Sequence, residues 1–272
     1  MSNTMLAAVF KGEGRLELEQ RPVPNIQRDD DVILQVGGVG ICGSDLHIIY
    51  RPQGHPAKPG VIMGHEFAGR VVAVGKGVEG LNPGDHVAVD PNPGCGKCKM
   101  CRRGLPNACI PHFTNPEAPG PGWGLTPGQW WDGGIAEFVR MPAHHLYPIA
   151  KHVPMWQVAM FEPIGVAVNG IGKIGFRVGE SAVVLGAGPI GLLFVALFKS
   201  GGASKIVVSE PTLRRREAAL TCGADVVVDP SKEDIEQRVL AETNGEGADV
   251  AVEVVVGCFP RRLIWSASMA AC

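Results

Sequence analysis

A thiol, an imidazole and a carboxylate occur within residues 40–66, in the side chains of Cys42, His65 and Glu66. These are groups that bind zinc at sites with one exchangeable position. A single Cys or His in a chain of this length is more often a packing residue. Here both lie in glycine-rich turns, where the backbone can approach another group closely, and their polar neighbours would be costly in an apolar core. The segment therefore predicts most of a catalytic metal site.

A second set of thiols has the most specific metal-binding spacing in the chain. Two residues separate Cys95 from Cys98 and Cys98 from Cys101, and seven residues separate Cys101 from Cys109. Four thiolates can surround one zinc ion tetrahedrally and leave no open position, so such a site is structural. An iron–sulfur cluster is disfavoured, because in ferredoxins the fourth Cys follows after three residues and precedes Pro, whereas Ile110 follows here.

A glycine-rich turn near the middle of the chain predicts a dinucleotide site. An apolar run at residues 181–185 leads into Gly-x-Gly-x-x-Gly, and a helical pattern follows at residues 192–199. In that context the first glycine permits a tight turn, the second lets the backbone approach a pyrophosphate, and the third allows close helix packing. The residues expected at the cofactor are Gly186, Gly188, Pro189, Ile190 and Gly191.

The next predicted strand, residues 205–209, ends in Glu210. An acidic side chain at this point would bond both ribose hydroxyls of NAD and repel the 2′-phosphate of NADP. Arg214, Arg215 and Arg216 follow, and they could neutralise such a phosphate or could be solvated surface. We therefore predict NAD as the cofactor, keep NADP as the alternative, and include Arg215 among the cofactor-binding residues.

Composition narrows the classes of partner. The 272 residues include 25 basic and 27 acidic side chains, which give a formal net charge of -2. That balance favours neither nucleic acid nor an anionic membrane as a partner and is compatible with small neutral substrates. The chain has no signal-peptide pattern and no apolar run long enough to cross a bilayer, so we expect a cytoplasmic protein.

The pattern of apolar runs predicts an α/β protein of two domains, residues 1–160 and residues 161–272. The first domain has short β-type runs broken by Gly and Pro, at residues 5–10, 31–36, 67–74, 86–90 and 135–140. The second domain has four strands alternating with helices, as in a doubly wound parallel sheet, which in full needs two more strands. Residues 258–272 do not predict a helix leading to a fifth strand, so we expect the sheet to be truncated after its fourth strand.

Together these motifs resemble the medium-chain, zinc-dependent alcohol and polyol dehydrogenases, over nearly the whole chain to about residue 257. The resemblance implies a β-rich, GroES-like catalytic domain and a Rossmann NAD-binding domain. It also implies one catalytic and one structural zinc ion. The expected reaction is hydride transfer to NAD from a small-molecule secondary alcohol, polyol or hydroxy amino acid.

The resemblance also implies the roles of individual residues. Cys42 and His65 are the expected ligands of the catalytic zinc, with Glu66 and Glu162 sharing the remaining role. Without the resemblance, Glu162 could simply stabilise a helix N-terminus. The expected ligands of the structural zinc are Cys95, Cys98, Cys101 and Cys109. The remaining implied roles are proton transfer by Ser44 and His47, catalysis involving Glu66, and orientation of the ligand imidazole by Asp45.

Two alternatives from the sequence remain open. One is a non-catalytic, truncated zinc-binding fragment that cannot hold NAD. The other is an NADPH-dependent aldehyde or ketone reductase of the same fold, which the run of three arginines favours. Members of the resembled family form homo-oligomers, and the expected loss of the last strands makes oligomerisation doubtful for this chain.

Overall fold

The computed structural model describes residues 3–51, 57–111 and 126–255, and the backbone of residues 269–271. The chain divides into two compact units, residues 1–162 and residues 163–272. The first unit is built on antiparallel strands and the second on a parallel sheet. Among the helices in the described ranges, none has the length and apolar character needed to span a membrane.

Two antiparallel arrangements make up the first unit. β1 (Thr4–Gly12) and β2 (Arg15–Pro22) form a hairpin. A five-stranded sheet has the order β6-β3-β4-β5-β7 and consists of β3 (Asp31–Val39), β4 (Phe67–Val74), β5 (His86–Val89), β6 (Phe138–Pro142) and β7 (Leu146–Ile149). One core of this unit buries Leu34 of β3, Phe67 of β4 and Met141 of β6.

Short helices connect these strands. They are α1 (Gly43–Tyr50), α2 (Lys99–Arg102), α3 (Met155–Val158) and two 3-10 turns, Pro106–Ala108 and Ala143–His145. The longer helix α4 (Phe161–Ile174) begins in the first unit and continues into the second. The residues of interest for chemistry lie mainly on these helices and on the loops between strands, where the sheet can position them.

The second unit is a parallel sheet with the order β10-β9-β8-β11-β12. Its strands are β8 (Ser181–Leu185), β9 (Lys205–Ser209), β10 (Val226–Val228), β11 (Val250–Glu253) and β12 (Met269–Ala271). Its described helices after α4 are α5 (Pro189–Ser200), α6 (Leu213–Cys222) and α7 (Ile235–Glu242). Counted from β8, this is the strand order 3-2-1-4-5 of a doubly wound fold.

Both faces of the parallel sheet are covered, which explains why its strands are almost continuously apolar. Along β8, Val184 packs in one core with Phe194 and Phe198 of α5. The neighbouring Val183 points to the opposite core, which includes Val239 of α7. Successive side chains of a strand alternate between faces, so a strand covered on both sides needs apolar residues at every position.

The predicted fold class, a β-rich unit followed by a doubly wound α/β unit, is confirmed. The structure also contains a fifth strand, β12, which pairs in parallel with β11. The sequence predicted no strand after β11. The three residues of β12, Met-Ala-Ala, lack the β-branched or aromatic character that marks a strand in sequence. Helix α1 is also absent from the predicted elements, because its β-branched and aromatic residues disfavour a helix in isolation.

Candidate active site and nucleotide turn

The thiol of Cys42 stands at the start of helix α1. Cys42 is the residue before the first turn, and its backbone N–H donates a hydrogen bond of 2.9 Å to Oδ2 of Asp45. A carboxylate three residues into a helix satisfies a backbone donor that the helix itself leaves free. The burial of Ile48 and Ile49 holds the other end of α1 against the core. Local capping and burial together position Cys42.

His65 and Glu66 lie in the turn that enters strand β4. Gly64 before them has a φ of 94°, and a Cβ atom there would lie 2.5 Å from Cγ1 of Ile135. Only glycine fits this position without strain. Nδ1 of His65 lies 3.5 Å from Oδ1 of Asp45. Asp45 is only 2% exposed. Asp45 therefore contacts both the backbone of Cys42 and the ring of His65.

The structure brings Cys42, His65 and Glu66 together into what we name the mixed cluster. Their ligand atoms all lie within 4.8 Å of one another, and all three residues are partly buried. A thiol, an imidazole and a carboxylate at this spacing match the donors and number of protein ligands of a catalytic zinc site. The residues present therefore fit a zinc ion and would leave one coordination position for substrate.

Gly40 makes room for the mixed cluster, and it was not among the predicted site residues. Its N–H donates a 2.7 Å hydrogen bond to the backbone oxygen of Glu66. A Cβ atom at Gly40 would overlap with Oε2 of Glu66. The signal in the sequence is the glycine two residues before Cys42, but only the folded chain shows which side chain needs the space.

The neighbours of His65 favour its protonated ring. Burial lowers its pKa, but hydrogen bonding and Coulombic attraction from Asp45 and Cys42 outweigh burial and raise the pKa to about 10. The same neighbours would favour a metal cation, which competes with the proton for the ring nitrogen. Nε2 of the ring lies 3.4 Å from Oγ of Ser44, on the side away from the Nδ1 contact with Asp45.

The other two predicted site residues of this unit lie outside the mixed cluster. His47 is exposed on α1, one turn after Ser44. Glu162 is partly buried in the first turn of α4. Burial raises the pKa of Glu162, His65 opposes the rise, and Glu66 adds to it. Glu162 is thus close enough to feel the cluster electrostatically but is not one of its three mutually close donors.

The four-cysteine lobe consists of Cys95, Cys98, Cys101 and Cys109, whose sulfur atoms all lie within 4.8 Å of one another. Backbone N–H groups of Cys101 and Ile110 lower the pKa of Cys98 to about 6. Burial raises the pKa of Cys95, but the N–H groups of Lys97 and Cys98 outweigh burial and lower it. The lowered pKa values of Cys95 and Cys98 favour their thiolate forms, which zinc ligation requires. Four thiolates fit a closed structural zinc site.

The glycine-rich turn of the second unit joins β8 to α5. Gly186 has a φ of 102°, which turns the chain sharply after the strand. A Cβ atom on Gly191 would overlap with the carbonyl oxygen of Gly186, so the helix packs directly on the turn. A Cβ atom on Gly188 would meet no described atom within 4 Å. Packing therefore explains two of the glycines, and open space at the third fits the close approach of a pyrophosphate.

Pro189 and Ile190 open helix α5, whose first N–H groups favour an anion. Glu210 follows β9 and is 2% exposed. Its carboxylate accepts hydrogen bonds from the N–H groups of Ala187 (3.0 Å) and Thr212 (2.9 Å). Burial raises the pKa of Glu210, but these two donors outweigh burial and lower it. The predicted ribose-binding carboxylate is thus bonded to the glycine-rich turn itself.

Family models match both units. The alcohol dehydrogenase GroES-like domain matches residues 28–151, and the zinc-binding dehydrogenase model matches residues 189–261. The matches cover the mixed cluster and the four-cysteine lobe, and the second begins at Pro189, within the glycine-rich motif.

Two dehydrogenases of similar sequence and one solved structure match nearly the whole chain. L-threonine 3-dehydrogenase from Pyrococcus horikoshii is 38% identical over 256 residues, which cover 93% of this chain and 70% of that protein. Sorbitol dehydrogenase from Bacillus subtilis is 33% identical over 253 residues, which cover 92% of this chain and 68% of that protein. The structure of a zinc-binding dehydrogenase from Sinorhizobium meliloti 1021 bound to NADP has a TM-score of 0.83 at 31% identity, covering 93% of this chain and 70% of that one.

These similarities confirm the family that the motifs predict, and with it an enzyme class that uses zinc and NAD(P). This chain spans about 70% of the length of the threonine dehydrogenase and of the NADP-bound structure. The chain belongs to the medium-chain, zinc-dependent family of alcohol and polyol dehydrogenases.

Proposed function

We propose that this chain transfers a hydride from a secondary alcohol, polyol or hydroxy amino acid to NAD. The observation that carries the proposal is the mixed cluster, in which three donors of different types lie within 4.8 Å of one another. A cluster of three protein ligands leaves a position for substrate, whereas a cluster of four thiolates does not. The threonine and sorbitol dehydrogenases among the relatives suggest hydroxy amino acids and polyols as the substrates to test first.

The proposed metal ligands are Cys42, His65 and Glu66, with Glu162 as the alternative carboxylate. Zinc, when bound, supplies Lewis acidity that lowers the pKa of a hydroxyl group. Oδ1 of Asp45 lies 3.5 Å from Nδ1 of His65, and a carboxylate on this side of the ring favours a proton on Nδ1 and a metal ion on Nε2. The proposed role of Asp45 is therefore to orient the ligand ring.

Proton transfer is assigned to Ser44 and His47. Ser44 Oγ lies 3.4 Å from Nε2 of His65, on the metal-binding side of the ring, where a substrate hydroxyl would be within its reach. His47 is exposed one turn later on the same helix, so it can exchange a proton with solvent. An imidazole can both accept and donate a proton, which suits that step.

The proposed cofactor site uses Gly186, Gly188 and Gly191 for the pyrophosphate and Glu210 for the adenosine ribose. A carboxylate at this point favours NAD, because it accepts from both ribose hydroxyls and repels a 2′-phosphate. NADP is the second candidate, since the similar Sinorhizobium meliloti structure is bound to NADP. Residues 1–160 would carry the metal chemistry and residues 161–272 the cofactor. A cytoplasmic location and the oligomeric state stay predictions from sequence.

A titration of the purified chain with NADH, together with its zinc content, tests the proposal. We expect saturable binding, about two zinc ions per chain, and NAD-dependent oxidation in a screen of threonine, sorbitol and related polyols. Zinc without cofactor binding would contradict the proposal and favour a non-catalytic zinc-binding chain. Activity confined to NADPH and carbonyl substrates would identify a reductase of the same fold.

A further inference from the structure

Arg216 of helix α6 joins two turns at the carboxyl edge of the parallel sheet. Its Nη1 donates hydrogen bonds of 2.7 Å to the carbonyl oxygens of Glu210 and Pro211. Its Nη2 lies 3.2 Å from Oδ2 of Asp229, which follows strand β10. The two side chains are 13% and 15% exposed, so this ion pair is shielded from solvent more than a surface pair is.

These contacts act on the turn that carries Glu210. The N–H of Glu210 donates to the carbonyl oxygen of Val228, and its own carbonyl accepts from Arg216, so its backbone is bonded on both sides. A carboxylate has about four acceptor positions. The N–H groups of Ala187 and Thr212 use one on each oxygen, so neither oxygen is saturated by these two bonds.

The three consecutive arginines are therefore not equivalent. The guanidinium group of Arg216 already contacts two carbonyl oxygens and Asp229, so it is poorly placed to bind a phosphate. The side chain of Arg215 is 57% exposed and lies 3.9 Å from Oε2 of Glu210, and Arg214 is exposed. The sequence alone does not separate these roles, because the three side chains are identical.

We propose that Arg216 and Asp229 are positioning residues that set the preference for NAD over NADP by holding the Glu210 turn. The inference rests on the proposed NAD-dependent function. Without the pair, the turn gains freedom and Glu210 no longer meets the ribose hydroxyls in one geometry. NADH then binds more weakly, whereas NADPH loses little, since its 2′-phosphate gains nothing from a fixed carboxylate.

The test compares binding of NADH and NADPH to the full chain and to its Arg216→Gln variant by cofactor fluorescence. Loss of charge-assisted bonds to the turn should raise the Kd of NADH about tenfold and that of NADPH less than about threefold. The selectivity for NADH should therefore fall. Arg238→Gln is the matched control, because Arg238 pairs with Glu233 and Glu242 on and beside helix α7 and should change neither Kd.

Asp229→Asn provides a second route that retains the arginine and nearly the same side-chain volume. It should lower the selectivity in the same direction and by a smaller factor, which keeps the test valid if Arg216→Gln does not fold. An equal rise of both Kd values in Arg216→Gln and Asp229→Asn would overturn the positioning role and leave the proposed function standing. Failure of the unaltered chain to bind either cofactor would overturn the proposed function and this inference with it.

Discussion

The mixed cluster and the four-cysteine lobe both gather metal donors within 4.8 Å, but the chain assembles them differently. The lobe takes its four thiols from residues 95–109, and a single turn of helix and neighbouring N–H groups shape it. The mixed cluster joins Cys42 to two residues more than twenty positions away. Its geometry depends on α1, on the turn entering β4 and on glycines that let these segments approach.

This difference separates a closed site from an open one. Four like donors from one short segment can enclose an ion without help from the rest of the fold, so the lobe suits a stabilising role. Three unlike donors held by different elements can leave a coordination position free. Ser44 Oγ lies 3.4 Å from Nε2 of His65 in this cluster. If this contrast is right, changes in the two clusters should have separable effects on turnover and on stability.

Replacing Cys42 by Ala should have the largest effect on turnover. We expect activity to fall to background and zinc to fall from about two ions to about one per chain, because the mixed cluster loses a ligand while the lobe keeps all four. Metal analysis and steady-state rates measure both quantities. Cys222→Ala, which removes a thiol outside both clusters, is the matched control. Retained activity in Cys42→Ala would refute the catalytic site assignment.

Gly40→Ala tests whether close backbone approach is needed at the mixed cluster. The added Cβ would overlap with Oε2 of Glu66, so we expect that carboxylate to move and kcat/KM to fall about ten- to hundredfold. Gly43→Ala is the control, since a Cβ there meets nothing within 4 Å. Similar rates for the two variants would show that the position of Glu66 is unimportant.

His47→Ala should slow alcohol oxidation about tenfold at neutral pH and leave the zinc content unchanged, because the role proposed for His47 is proton transfer and the residue lies outside the cluster. The deficit should shrink as the pH rises and hydroxide replaces the imidazole as proton acceptor. Rates measured across pH, with the exposed His152→Ala as control, test this. Equal rates at neutral pH would remove His47 from the proposed relay.

Cys98→Ala in the lobe should have the smallest effect on the initial rate at low temperature and a clear effect on stability. Loss of a structural zinc destabilises the fold, and each kcal/mol lost lowers Tm by roughly 2–4 °C in a domain of this size. Thermal unfolding and residual activity after heating measure the effect. Loss of turnover without loss of stability would contradict the purely structural role of the four-cysteine lobe.

Several features were predictable from the sequence because their signals are local. The spacing of the four cysteines, the apolar runs of β8 and β9, and the glycine-rich turn each lie in short stretches whose physical meaning does not depend on distant residues. The same holds for the carboxylate that follows β9. The family resemblance rests on these local patterns and is confirmed by the similarity to known dehydrogenases.

Other features were decided by tertiary structure, because they join segments far apart in the chain. Sequence left Glu66 and Glu162 as equal candidates, and folding brings only Glu66 into the group of three close donors. Gly40 acquires its importance from the side chain of Glu66 that lies against it. Arg214, Arg215 and Arg216 are identical in type, and only Asp229 on the neighbouring strand end singles out Arg216. Residue types and spacing determined which chemistry was available, whereas the packing of distant segments decided which atoms stand close enough to perform it.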